Sequence, residues 1–543
     1  MHNHPKDKTF ETKTNIAKLC TIKYTKEKFI IKNLFKSVFI IAIFSIILRG
    51  LGFFMRIILS RELGAEALGM YQISQSFFYV LVTVIASGLP ATISHLSAKY
   101  KVTNDKSSEG SAVASSLIIG VVASILLEIL LFCFKNVIIQ TTTTECWTII
   151  LCLSPSILIT AIYSSFRGAL WGRQKHTQNC LSEIGEQFTR LVLFLIFLTT
   201  AKNPIVGAIR ASVCYTISCF VSMFLAIIFY FKGGSKLASP KKCFKQVFKS
   251  SFPITLLHLV SSLLQPVISI IIPYQLQCAG YTETQAIGLF GIVTGMTLPL
   301  LTLPDTLIGS YATALMPEIS TSVVTKNKDE LKTQILTAIT FTLFVCFCFV
   351  PVYIGAGENI GTFLFNNTTS GYLLARASFV MVPMGLSNIT QSILNSIDME
   401  FKSFKNYIFG SICLIASIFF LPKYLGVNAL IVGLGSSICV SSILNLKMIT
   451  KFLGVKSIII KPVLFMSIFA IPSSMLGSFV GGIFKCLVPQ FFSIAFSCIA
   501  SFVCFVLLCI VFKVVDVSTI FSSIKKFKNI KMLKKKQKSA QKA

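Results

Sequence analysis

Apolar runs of membrane-spanning length recur along the chain from residue 36 to residue 512. A helix crossing a bilayer needs about 20 mostly apolar residues, because hydrocarbon offers no hydrogen bonds and the backbone must satisfy its own. The runs fall at 36–59, 71–95, 111–134, 146–168, 180–200, 204–231, 250–274, 285–316, 333–354, 371–397, 404–422, 426–446, 459–482 and 488–512. Composition agrees: 54% of the 543 residues are hydrophobic and 13% charged, where a soluble domain carries roughly a quarter charged residues. The expected fold class is all-α integral membrane, with about 14 transmembrane helices and no soluble domain of any size.

The net charge of +30 would suggest a nucleic-acid partner in a soluble protein. Here the basic residues crowd into both tails and into every second loop, such as Lys99, Lys101 and Lys106, then Arg173 and Lys175, then Lys241, Lys242 and Lys245. The intervening loops are nearly bare. This is the positive-inside pattern, so no nucleic acid is expected. It predicts a multi-pass protein of the cell membrane with an even number of spans and both termini cytoplasmic. The basic tails are expected to meet anionic lipid head groups. The lysine-rich first ~30 residues read as a tail and not as a cleaved signal.

The longest internal basic loop, 232–249, follows the sixth span and reads as a joint. The expected organisation is a basic tail (1–35), a first lobe of six spans (36–231), the joint, a second lobe of six spans (250–446), two further spans (447–512) and a basic tail (513–543). A sequence echo supports it. Gly69-Met-Tyr-Gln and Gly88-Leu-Pro-Ala-Thr-Ile-Ser94 in the first lobe are matched by Gly288-Leu-Phe-Gly and Ala314-Leu-Met-Pro-Glu-Ile-Ser320 in the second. Repeats of six spans are parallel, related by an axis along the membrane normal. Two such pseudo-symmetric bundles leave a cleft between them, the geometry of an alternating-access carrier.

Charge inside a membrane costs at least ~2.5 kcal/mol per residue and so faces a cavity or a partner. Span 1 carries Arg49 and Arg56 on one helical face, with Arg61 at its outer end. Gly50 and Gly52 leave room for close approach. Guanidiniums lining a wet cleft suit a diphosphate, since each presents paired donors and none loses its proton. The blander reading is that Arg56 and Arg61 snorkel to the interface. Span 5 carries Glu183, Glu186 and Arg190 on one face, either a self-neutralised structural group or a coupling or gating site. Asp305 follows Pro304, where a bent helix favours a proton or sodium site. Asn388, Gln391 and Asn395 form a polar stripe in span 10, read as interhelical glue or substrate contact. His258 and Gln265 form a similar pair in span 7.

Seventeen cysteines lie scattered, with no zinc spacing, so no metal is expected. No P-loop, nucleophile elbow or HExxH motif appears. The expectation is a transporter, not an enzyme, without a cofactor and with sodium or protons as candidate coupling ions. A membrane glycosyltransferase is disfavoured because its catalytic residues sit in sizeable outer loops. The longest outer loop here, 355–370, holds one acidic residue, Glu358.

The runs Arg49-Gly-Leu-Gly-Phe-Phe-Met-Arg56, Ser60-Arg-Glu-Leu-Gly-Ala-Glu-Ala-Leu-Gly-Met-Tyr-Gln72 and Ala86-Ser-Gly-Leu-Pro-Ala-Thr-Ile-Ser94 resemble the opening of the stage V sporulation protein B and polysaccharide-exporter family. Leu303-Pro-Asp-Thr-Leu307 and Leu315-Met-Pro-Glu-Ile-Ser320 resemble its eighth helix. The family lies in the superfamily of multidrug, oligosaccharidyl-lipid and polysaccharide flippases. The resemblance implies two six-helix lobes plus two C-terminal helices. It also implies a polyprenyl-diphosphate-linked sugar as substrate, a peptidoglycan precursor for spore cortex, with Arg49 and Arg56 on the diphosphate and the cell-wall synthesis machinery as partner. A drug/cation antiporter of the same fold is the alternative, which the span 1 arginines oppose by repelling cations.

Overall fold

The structure, a computed structural model, describes residues 7–201, 203–325, 327–454, 460–512 and 514, with side chains from residue 44 onward except at 257, 314, 317 and 460. The side chains of the N-terminal tail, and all of 515–543, lie outside the described residues, as does any contact of the basic tails with lipid.

Among the described residues twelve helical segments are long and apolar enough to cross a membrane. The first of them, Phe44–Val102, holds two crossings divided at Gly64, whose φ of 67° breaks the helix. His176–Phe197 adds another; its Glu183, Glu186 and Arg190 keep it from qualifying on composition. The described residues thus hold fourteen spans. They are 44–63 (span 1), 65–102 (span 2), Lys106–Cys133, Thr144–Gly172, His176–Phe197, Pro204–Lys232 and Phe244–Cys278 (spans 3 to 7). Span 8 is irregular and runs through Glu283–Leu301 and Leu303–Val324. Lys328–Phe365, Thr368–Ser396, Glu400–Phe420, Asn428–Leu453, Lys461–Lys485 and Gln490–Val511 are spans 9 to 14. Every second loop lies on one face of the bundle, here the basic-loop side; the opposite face, with its nearly bare loops, is labelled the outer side from the charge pattern alone.

Burial follows the logic of lipid and not of water. Large apolar side chains such as Phe220, Phe224, Leu126 and Phe479 are exposed, while Ser115, Ser116, Ser165, Ser212 and Ser501 are buried. Small residues let helices approach closely where lipid supplies no hydrophobic drive between them. Many of their hydroxyls bond a carbonyl one turn back, as Ser115 does to Ser111 at 2.7 Å. The same rule docks the last two spans. Gly355 of span 9 lies against Ser474 of span 13, and Ser497 of span 14 donates to the Gly477 carbonyl at 2.7 Å.

The outer halves of the lobes touch. A Cβ on Gly291 of span 8 would stand 2.7 Å from Gly69 Cα, and one on Gly295 would stand 2.6 Å from Leu68 Cδ2. Toward the basic-loop side the same two spans pack elsewhere: residues 88–102 against spans 3, 4 and 7, and Leu303–Val324 against spans 9 and 10. The lobes therefore meet on the outer side and part toward the basic loops. Span 7 bridges them. It turns at Leu263. Its first half packs on spans 2 and 3 and its second half on span 11, with Ser269 bonded to Ser76 at 2.8 Å.

Three features differ from the sequence reading. Span 9 continues to Phe365 and ends where Asn366 takes φ 52°, so Glu358 lies within a helix and the expected 355–370 loop contracts to the residues before Thr368. A short helix, Lys135–Thr141, follows span 3 on the outer side. Span 8 contains a π-helical turn, Ile292–Thr297, in addition to its proline bend.

Candidate functional site

Span 1 presents two faces. Met55 and Leu59 are buried against the bundle, while Arg49 and Arg56 are exposed. Gly50 and Gly52 have nothing within 4 Å of an added Cβ. Neither arginine makes a hydrogen bond or ion pair among the described residues. Two permanent cations thus stand beside open space on a helix that belongs in a membrane, an arrangement that is costly without a ligand or water.

Asp305 faces this helix from the other lobe. Pro304 cannot donate a backbone hydrogen bond, which costs nothing in a first turn. Span 8 breaks at Thr302 and restarts at Leu303, placing Asp305 in the first turn of the new helix, where the helix dipole favours a carboxylate. Arg49 is the cation whose field acts on it. The π-helical turn just upstream is a distortion that concentrates at functional sites. Span 10 flanks the same segment: Asn388 Nδ2 lies 3.9 Å from where a Gly309 Cβ would stand. Asn388 and Asn395 are half-buried and Gln391 exposed, and none of the three amides is hydrogen-bonded among the described residues.

Arg61 goes elsewhere. Its Nε donates to the Leu364 carbonyl at 2.8 Å and its Nη2 to the Phe363 carbonyl. These are orphan acceptors at the end of span 9, which attract a cation. Arg61 lies about 18 Å along the helix from Arg49 at 1.5 Å per residue. It ties span 1 to the end of span 9 and, in this structure, does not stand with Arg49 and Arg56.

Glu183, Glu186 and Arg190 lie inside the first lobe and do not join Asp305. Glu183 accepts from Asn179 at 3.0 Å and pairs with Arg167 at 3.0 Å. Arg190 pairs with Glu186, donates to Ser218 Oγ at 2.9 Å and stacks over Tyr215 at 4.1 Å. With Arg190 and Glu186 side chains 11% and 17% exposed, the pair neutralises its own charge inside the lobe. His258 and Gln265 are both exposed.

Sequence reasoning missed three residues. Tyr79 of span 2 is exposed within electrostatic reach of Arg56, Arg190 and Glu186, linking the cleft to the buried group. Arg376 of span 10 stacks over Tyr372 at 4.0 Å. Arg210 of span 6 donates to the Phe197 carbonyl at 3.1 Å. The two arginines were visible as charges inside apolar runs; Tyr79 carried no signal among so many aromatics.

The family model described as polysaccharide biosynthesis protein matches residues 34–323, more than half the chain. The chain belongs to the polysaccharide biosynthesis protein family. Among the similar proteins is stage V sporulation protein B of Bacillus subtilis (strain 168), 24% identical over 77% of this chain and 84% of the relative. The lipid II flippase MurJ of the same strain is 22% identical over 68% of this chain and 73% of its own. Solved structures share the fold. A lipid II flippase MurJ in an inward closed conformation aligns with TM-score 0.66 at 17% identity over 87% of this chain and 98% of that one. An inward-facing multidrug resistance MATE transporter aligns with TM-score 0.63 at 18% identity over 75% and 95%. This member of the polysaccharide biosynthesis protein family is therefore a multi-pass membrane protein of the flippase and transporter class.

Proposed function

We propose that this protein flips a polyprenyl-diphosphate-linked saccharide across the cell membrane by alternating access, as a transporter and not an enzyme. The single observation that carries the reading is the unpaired Arg49–Arg56 face of span 1, open beside Gly50 and Gly52. A diphosphate supplies the missing counter-charge, and two guanidiniums match its oxygens with paired donors. The polyprenyl tail stays in lipid while the head group passes between the lobes. The relatives' names, a sporulation protein and a lipid II flippase, support a lipid-linked cell-wall precursor handled during sporulation as the leading cargo, and the family resemblance points to the spore cortex. The cell-wall synthesis machinery is the corresponding partner.

Asp305 serves as the gating carboxylate. It lies in the field of Arg49 without an ion pair to it, and loses that field when the diphosphate takes the cation, with sodium or a proton as the coupling ion. Asn388 and Gln391 bind the sugar from span 10. The basic loops orient the open side to the cytoplasm, with both termini there. A cation antiporter is disfavoured by the same two arginines.

The test is flipping of a fluorescent lipid-linked saccharide by the purified protein in vesicles, with and without sodium, proton and voltage gradients. Protein-dependent movement of the lipid-linked sugar is expected. Its absence under every gradient, with transport of a cationic drug, overturns the reading.

A further inference from the structure

On the basic-loop side of the first lobe, three loops far apart in sequence enclose a cavity of about 290 Å³, away from the cleft. Lys101 and Lys106 reach it from the turn after span 2, Arg173 and Lys175 from the turn after span 4, and Gly233 from the turn after span 6. The one carboxylate in its wall, Glu109, is 3% exposed and fully engaged. Arg173 grips both its oxygens, Nη2 donating to Oε2 at 2.6 Å and Nε to Oε1, and gives a third hydrogen bond to Ser235. That pair is neutral and structural.

Three ammonium groups are left without a counter-charge. Lys101 donates to the Arg173 carbonyl at 2.9 Å, which positions it but does not neutralise it. The Lys175 ammonium makes no hydrogen bond among the described residues. Its Nζ folds inward over Gly233, where a Cβ would collide with it. Desolvation, and then the fields of Arg173 and Lys101, hold this ammonium below its ordinary pKa. Lysines serving topology alone point outward into water. Here one is bent over a glycine into a small cavity beside its like charges.

We propose that this cavity is a binding site for a phosphate anion, as a free phosphate or a phosphate ester, held by Lys101, Lys106 and Lys175. Its volume lies at the lower end of small-molecule sites, which suits a phosphate or a single head group and excludes a lipid-linked saccharide. The floor of the cavity is the start of the joint between the lobes. That joint packs onto span 3, where Ser115 donates to the Pro240 carbonyl at 2.8 Å. A bound phosphate therefore bridges spans 2, 3 and 5 to the joint and stiffens the link on which lobe movement depends.

Thermal unfolding of the full-length protein tests this in two arms. One arm adds inorganic phosphate against chloride at matched ionic strength, in a zwitterionic detergent. The other compares nanodiscs of phosphatidylcholine with and without phosphatidylglycerol. Stabilisation in the first arm identifies free phosphate, and in the second a lipid head group. Lys175→Gln is expected to fold, to melt at or above the wild-type temperature without ligand because repulsion is relieved, and to weaken ligand binding about tenfold or more. Lys332→Gln, on the same side of the second lobe, keeps the wild-type response. No stabilisation in either arm, or equal losses in both variants, overturns the proposal.

Discussion

Gly69 of span 2 and Gly291 of span 8 meet backbone to backbone, so that a Cβ on Gly291 would stand 2.7 Å from Gly69 Cα. They belong to the two segments that echo each other in the sequence, Gly69-Met-Tyr-Gln and Gly288-Leu-Phe-Gly. The pseudo-symmetric halves thus close the outer side with their own matching pieces.

Gly291→Ala places a methyl group against that backbone. Overpacking of this kind costs ~1–3 kcal/mol, charged only to the state in which the outer side is closed. The expected outcome is a shift toward the outward-open form, read as longer spin-label distances between the outer ends of spans 2 and 10. An unchanged distance distribution contradicts the assignment of this contact as the outer seal.

Arg61→Gln removes the donors that span 1 gives to the last carbonyls of span 9, worth ~1 kcal/mol at an exposed site. It should favour outward opening in the same measurement while leaving binding of the lipid-linked saccharide in detergent at the wild-type level. Arg49→Gln should do the reverse. Equal loss of binding in both variants returns Arg61 to the substrate group.

The span count and its alternation were legible because lipid imposes length and the loops carry the basic residues. Partners were less so. Arg61 bonds carbonyls 302 and 303 residues away, and a carbonyl has no residue identity to read. The π-helical turn at Ile292–Thr297 lies in an ordinary apolar stretch, and its cause is tertiary. Arg49 and Asp305 were legible as isolated charges, each costly alone; that they act on one another required the two lobes to be assembled. The lysines at 101 and 175 were read as topology signals, which hid their convergence on one cavity.

Glu186→Gln leaves Arg190 without its partner in a mostly buried site, and breaking such a pair costs ~3–5 kcal/mol. A clear fall in melting temperature is expected, with most of it recovered in the Glu186→Gln/Arg190→Gln double variant, because the two losses are coupled. A double variant that is stable and transports normally assigns the pair to structure. One that is stable but has lost its ion dependence places coupling there instead.

Asp305→Asn keeps the shape of the first turn of its helix and removes its charge. Binding of the diphosphate should hold or tighten, since Arg49 loses its competitor, while the response of transport to an ion gradient disappears. Retained gradient dependence, measured in the same vesicles, moves the gating role to another group.

The central claim is that the unpaired arginines of span 1 hold the diphosphate. The most direct measurement is the rate of lipid-linked saccharide flipping in vesicles by Arg49→Gln, at matched protein insertion and melting temperature. Loss of a charge-assisted contact of ~1.5–3 kcal/mol predicts at least about a tenfold fall in apparent affinity and in flipping. Wild-type flipping and affinity in that variant contradict it.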